Sequence, residues 1–432
     1  MNPKSRLAAC LSVSVILGFG LTTRTALLES NDSSSRNEPG VTTPALLFHD
    51  MESPGATTRL PSAIALGHSR APDEDGSGFG PQNTAATVQQ QPPSAEKTVD
   101  QTQKNIKVLK GMPASQLIPV MNFMSVSLGV SCAACHVGSP GKWEFEKDDK
   151  EEKDVARKMI QMTMDINKTS FNNRRQVTCN TCHRGSEHPV GIPALPFVPA
   201  PAAEHPAAPS KDPLPTADQV IAKYLAAVGG QAAVEKQKTR VLTGVQVTSE
   251  GTSVPFEMYQ AGPDKIAAVL KAPGGGGMST IYNGTTAYSL SPRGAGEISG
   301  DQLEILKRTA SLYAPAHMAE LYPKLRIAGR DKIGDRPVIV AVSPISEHVQ
   351  TRLYFDAENG LLLRVLNFVD TPIARIPQQT DYEDYRDVDG VKVPFTVKQS
   401  LLDTHSSWTR KFSEIKANVP IEDSRFSPPA KP

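Results

Sequence analysis

The sequence predicts a multi-domain chain, with a mainly α segment followed by an α+β segment built on a curved antiparallel sheet. Three observations support this. A Cys-x-x-Cys-His pattern occurs twice, at Cys132-Ala133-Ala134-Cys135-His136 and Cys179-Asn180-Thr181-Cys182-His183, each time after a stretch with helical apolar spacing. Beyond residue 216, short runs rich in β-branched and aromatic residues alternate with turn signals. The 36 prolines and 31 glycines crowd into segments without a period of 2 or 3.6, which read as linkers.

With 432 residues the chain can hold two or three cores. A net charge of +1 and the lack of a basic stripe exclude a nucleic-acid partner. At the N-terminus, Lys4 and Arg6 precede an apolar run from Leu7 to Leu21. Fifteen residues suit a secretory core better than a spanning helix, which needs about 20. Residues 1–30 are therefore read as a signal peptide or a short membrane anchor. Cys10 precedes the apolar run instead of ending it, so it does not make a lipoprotein site. Residues 31–101, rich in Ser, Pro, Gly, Thr and Gln, read as a disordered tether in which His49 and His68 have no role.

Residues 102–188 form the first domain. A helix starting near Ala114 carries Leu117, Met121, Met124 and Leu128, and a second, with an acidic start at Asp148–Asp154, carries Val155, Met159, Met162 and Ile166. Both sets have i, i+4, i+7, i+11 spacing, which is one face of a helix, and they are offset by 38 residues. Acidic residues at a helix start suit the positive end of its dipole. Each helix leads into one Cys-x-x-Cys-His motif, so helix, loop and motif form an internal repeat.

The motif is the attachment pattern of a c-type haem. Two thiols one short turn apart reach the two vinyl groups of one porphyrin, and the histidine that follows supplies the proximal imidazole. Cys132 and Cys135 with His136, and Cys179 and Cys182 with His183, thus predict two covalently bound haem c groups. A structural zinc site made of two Cys-x-x-Cys pairs is the rival reading. The 47-residue separation of the motifs and the His after each pair weigh against it. A disulfide framework is excluded because four of the five cysteines are used in the motifs. Haem attachment takes place outside the cytoplasm, so the motifs and the apolar N-terminus together predict an exported protein, in the periplasm or on the periplasmic face of the inner membrane.

A second axial ligand from methionine would saturate the iron and raise its potential, which suits electron transfer. Met121 and Met159 hold equivalent places in the repeat, as do Met124 and Met162, and only one pair can ligate. Methionines at helical spacing are also common core residues. Arg184 can pair with a haem propionate, Gly185 allows a tight turn, and His188 is a weaker ligand candidate than Met159.

The stretch from Asn105 to Gly185 resembles the cytochrome subunit of photosynthetic reaction centres. The matching text is Ala156-Arg157-Lys158-Met159-Ile160-Gln161-Met162-Thr163, Ile166-Asn167, and Val177-Thr178-Cys179-Asn180-Thr181-Cys182-His183-Arg184-Gly185. The resemblance implies a multihaem c-type cytochrome domain with axial methionines at Met121 for the first haem and Met159 for the second. It also implies a reaction-centre-like membrane redox partner and a soluble electron donor. Family members with four haems carry two such pairs, and a loop histidine ligates a further haem. This chain has cysteines for two, and its loop at Phe171-Asn172 lacks histidine. A di-haem peroxidase or reductase, and a lipid- or lipoprotein-binding protein with haem as sensor, are the alternative functions.

Residues 189–215, dominated by Pro and Ala, read as a semi-rigid spacer in which His205 is incidental. Residues 216–428 form the second domain. Thr216-Ala217-Asp218-Gln219 is a capping box opening a helix that ends at Gly229-Gly230. Strands are predicted at 241–247, 254–260, 265–271, 278–282, 286–290, 325–328, 337–342, 351–355, 361–368, 380–385, 391–400 and 408–415, with a helical interlude at 302–325. Asp356–Gly360 and Asp387–Gly390 are hairpin turns, and the glycine run 274–277 is a hairpin tip without phosphate-loop residues. This pattern, with phrases such as Tyr354-Phe355-Asp356, loosely resembles the half-barrels of periplasmic lipoprotein carriers. No catalytic set is found, and His317, His348 and His405 lack metal-ligand spacing.

Overall fold

The computed structural model describes residues 96–139, 142–189, 191, 213–271, 277–292, 294–403 and 406–427. The expected export signal, nearly all of the tether, most of the 189–215 spacer, residues 274–276 of the glycine run and His405 lie outside the described residues. Those described belong to one compact unit.

The helical region contains α1 (Val99–Thr102), α2 (Leu117–Leu128), α3 (Glu151–Phe171) and α4 (Cys179–His183). Helix α1 includes residues 99–101, which the sequence reading assigned to the tether. Val99 is fully buried, its N–H donates to the Met112 carbonyl at 2.8 Å, and Ala114 N–H donates to Lys97 O at 2.9 Å. Polar neighbours mask this anchor in the sequence, because one valine carries the packing. Helix α2 ends at Gly129 in the left-handed region (φ 68°), and α3 ends at Asn172 (φ 51°), both residues that tolerate that conformation.

The helix faces that are buried differ from the apolar faces read from the sequence. In α2 the buried residues are Val120, Phe123 and Ser127, and in α3 they are Ile160, Thr163 and Asn167. The expected face of α3 points outward, with Val155, Met159 and Met162 exposed. Polar residues replace apolar ones inside because their hydrogen bonds are met locally. Asn167 Nδ2 donates to Val177 O at 2.6 Å, and its Oδ1 accepts from Gln176 N and Val177 N at 3.0 and 2.9 Å. Thr163 Oγ1 donates to Met159 O at 2.8 Å.

The second region opens with α5 (Ala217–Val228), capped as expected by Thr216, whose Oγ1 accepts from Gln219 N at 3.2 Å. A short α6 (Gln231–Lys236) follows. Thirteen antiparallel strands form one curved, half-barrel-like sheet. They are β1 (Thr239–Thr248), β2 (Ser253–Ala261), β3 (Lys265–Lys271), β4 (Gly277–Tyr282), β5 (Ala287–Ser291), β6 (Gly294–Ile298), β7 (Arg326–Ile333), β8 (Arg336–Pro344), β9 (Val349–Asp356), β10 (Leu362–Asp370), β11 (Arg375–Val388), β12 (Val391–Ser400) and β13 (Trp408–Ala417). Their order is 6-5-4-3-2-1-13-12-11-10-9-8-7, so two meanders join where the first strand pairs with the last. Helices α7 (Gly300–Ala310) and α8 (Met318–Leu321) connect the meanders. Strand β6 escaped the sequence reading because Gly294-Ala295-Gly296 has no side-chain alternation; pairing with β5 defines it. Strand β11 runs five residues earlier than expected, through Pro377, held by β10 on one side and β12 on the other. The Val388↔Val391 pair closes a two-residue turn at Asp389-Gly390, both with positive φ, as that hairpin type requires.

The main core lies between sheet and helices and includes Tyr224, Val228, Phe256, Val338, Leu353 and Phe355. A second cluster combines Val99, Leu109, Met112, Val120, Phe123 and Ile160 with Ile373, Ala374 and Ile376. The last three belong to the β10–β11 hairpin, whose tip is inserted into the helical region. The two expected domains therefore share a core. Polar ties reinforce it: Gln116 Nε2 donates to Asp301 Oδ2 at 3.2 Å and Asp370 O at 3.1 Å, and Arg175 pairs with Asp370 at 2.7 Å.

Candidate haem-binding site

Each motif folds into one helical turn. In the first, Ser131 leads into a 3-10 turn at Cys132–Ala134, and His136 N–H donates to Cys132 O at 3.0 Å. In the second, α4 starts at a capping box in which Thr178 N–H donates to Thr181 Oγ1 at 3.0 Å. Residues i, i+3 and i+4 share a side of an α-helical turn, so the thiols of Cys179 and Cys182 and the imidazole of His183 lie on one side of α4. All four cysteines are free; Cys132 and Cys182 are exposed, while burial pushes the thiols of Cys135 and Cys179 up.

The imidazoles are held differently. His183 donates from Nδ1 to Ser186 O at 3.0 Å, which selects the tautomer with a lone pair on Nε2, the form a metal accepts. His136 is half-buried, edge-on to Phe145 with ring centroids 5.0 Å apart, and its Nδ1 is buried without a hydrogen-bond partner among the described residues. Burial first, then the charges of Lys153, Arg157 and Lys150, lower its proton affinity and keep it neutral.

Asp148 organises this wall. Its carboxylate accepts from Arg157 at 2.8 Å, Lys107 at 2.6 Å, Asn105 at 2.9 Å and Lys153 at 3.0 Å, and these partners hold it far below the usual carboxylate range. The start of α3 is thereby fixed beside the first motif, where the Lys150 ammonium also reaches Ala133 O. The second motif instead packs on α2. Gly185 N–H donates to Ser127 O at 2.8 Å, and a side chain at Gly129 would collide with Gly185 O, so the close approach requires glycine there.

The methionines fall into two groups. Met121, Met124 and Met164 are half-buried around the second apolar cluster, together with Cys179. Met159 and Met162 are 38% and 45% exposed and, with Val155 at 44%, make an outward apolar stripe on α3. The expected residues are thus gathered unevenly: Met121 and Cys179 pack against the same apolar cluster, whereas Met159 lies on the outer face of its helix. Arg184 is exposed at the left-handed end of α4, and Gly185 takes the turn expected of it (φ 86°).

These residues fit a c-type haem. Paired thiols, an imidazole after each pair and an uncovered stripe of thioether and aliphatic side chains are the donor set and contact surface such a porphyrin needs. Among the described residues, no three His, Cys, Asp or Glu side chains converge to hold a metal ion, so the zinc alternative finds no cluster.

Comparison with known proteins bears on both regions. Part of the sheet region is similar to a DUF1329 family protein from Desulfovibrio piger, at 13% identity over 49% of this chain and 96% of that one, with a TM-score of 0.36. A LolA superfamily protein from Nitrosomonas europaea is similar at 11% identity over 50% of this chain and 99% of that one, with a TM-score of 0.35. The architecture of the region stands on its own strand order. Residues 65–211, which contain both motifs and both methionine-bearing helices, match the family of the photosynthetic reaction centre cytochrome C subunit.

Proposed function

We propose that the chain is an exported two-haem electron carrier, which passes electrons from a soluble donor to a membrane redox complex of reaction-centre type. One observation supports this most: both Cys-x-x-Cys-His motifs start on a short helical turn, within a segment matched by a cytochrome family. Cys132, Cys135 and His136 would hold the first haem, and Cys179, Cys182 and His183 the second, with Met121 and Met159 as the sixth ligands. When bound, the haem supplies one-electron exchange at iron.

The chain's residues set the conditions for that exchange. Cys132 with Cys135, and Cys179 with Cys182, would tie each porphyrin to a short turn through thioethers. The Ser186 carbonyl orients the His183 ring, and the Asp148 cluster positions the wall beside His136. A methionine sulfur on each iron would leave no position for substrate, which favours a carrier over a peroxidase or reductase.

Haem and iron are to be counted per chain in protein matured in a host that attaches haem c, with reduced-minus-oxidised spectra of Met121→Leu and Met159→Leu. Two covalent haems, and a changed spectrum at one haem in each variant, are expected. One haem or none, or unaltered spectra in both variants, would refute the assignment.

A further inference from the structure

A cavity of about 910 Å³ lies between the concave side of the sheet and the helices. Leu242, Met258, Leu353, Val397 and Phe412 line it from the sheet, Met318 and Leu321 from α8. Ile118, Pro119 and Asn122 line it from α2, so both regions build it. None of the eight expected haem ligands lines it.

Arg410 stands out in this apolar wall. Its guanidinium carbon is 3.9 Å from the Phe256 ring centroid and 3.8 Å from that of Trp408. Its Nε donates to Gln246 Oε1 at 3.0 Å, across the Gln246↔Arg410 register pair of β1 and β13. Among the described residues neither Nη nitrogen has a hydrogen-bond partner, no carboxylate pairs with it, and neither is among the sealed polar atoms. Burial alone pulls the group down to about 9, which leaves it cationic at neutral pH. Arg410 is half-buried, and a partly desolvated cation gains from meeting an anion beyond what two ring faces supply.

We propose that the cavity binds an organic carboxylate with an apolar body, its two oxygens on the free Nη edge of Arg410. The fork of two Nη donors matches the spacing of carboxylate oxygens. With Nε already committed to Gln246, that edge is the one that remains. The apolar body extends along β1 past Leu242 towards Arg240, six residues or about 20 Å along the strand. Arg240 is occupied differently: its Nη2 donates to Gln237 Oε1 at 2.7 Å and its Nε is sealed from the cavity.

The test is isothermal titration calorimetry of the full-length holoprotein with decanoate and with decanol, which has the same chain length but no charge. Decanoate is expected to bind at one site, about tenfold or more tightly than decanol. Arg410→Gln should abolish that preference and Arg410→Lys should restore part of it. Equal affinities for the two probes, no binding of decanoate, or a preference that survives in folded Arg410→Gln would overturn the proposal. If Arg410→Gln does not fold, the wild-type comparison of the two probes decides.

Discussion

The sheet region and the helical region solve the problem of a core in opposite ways. The sheet region buries large side chains completely, with Phe256, Val338, Leu353 and Phe355 at 1% exposure or less. The helical region has a small cluster, and three of its nine buried members come from the sheet's β10–β11 hairpin. It also holds Val126, Phe145, Val155, Met159 and Met162, five of the six strongly exposed large apolar side chains among the described residues. The difference teaches that the sheet region supplies its own core, whereas the helices depend on groups from outside their own segment: the hairpin tip and, in our reading, two porphyrins.

The strongest way to break this comparison is to remove an attachment. Cys179→Ser with Cys182→Ser should halve the covalent haem per chain and abolish cooperative unfolding of residues 96–189. Strand amides of the sheet should keep their hydrogen-exchange protection. Equal loss of protection in both regions would show that the helices do not depend on haem in this way.

Next is a cut within the sheet. Phe355→Ala should cost about 3–5 kcal/mol, the usual range for a fully buried aromatic, measured by denaturant unfolding of the sheet. Haem content should stay unchanged if the two cores differ as described. A somewhat smaller effect is expected at the shared cluster. Ile373 is completely buried at the hairpin tip, and Ile373→Ala should cost about 2–4 kcal/mol. Exchange rates should rise first in α2 and α3, although the substitution lies in the other region.

The smallest effect concerns acid. The folded carboxyl of Asp148 lies below its unfolded value, chiefly through Arg157 and then Lys107. Its contribution is therefore complete above about pH 4 and is lost progressively as the pH falls further. Asp148→Asn should remove this acid dependence from the unfolding of α3 and leave that of the sheet as it was. An unaltered acid profile for α3 would mean that the cluster contributes nothing there.

Much of the chain was legible from sequence. Thr216 and Gln219 marked the start of α5, alternation marked most strands, and the Asp-Gly turn at 389–390 marked one hairpin. The motif spacing marked the residues we assign to haem, because a chemical requirement fixes that spacing. Other features were hidden for physical reasons. Strand β6 has no alternating side chains, β11 passes through a proline, and α1 rests on one buried valine. Arg410 gave no local signal, since an arginine in a strand reads as solvent-facing until its ring neighbours are known.

The linear order of residues thus determined the two Cys-x-x-Cys-His motifs, the helices before them and the class of the sheet, all of which depend on local spacing. Only the tertiary structure decided which helix face is buried, that the two regions share a core, and that the Arg410 guanidinium, sandwiched by two rings, lines a common cavity. Helical periodicity shows that a face is apolar, but not what covers it. That depends on groups distant in sequence, here Ile373 inside the helical cluster and, on the outer stripe of α3, the cofactor we infer.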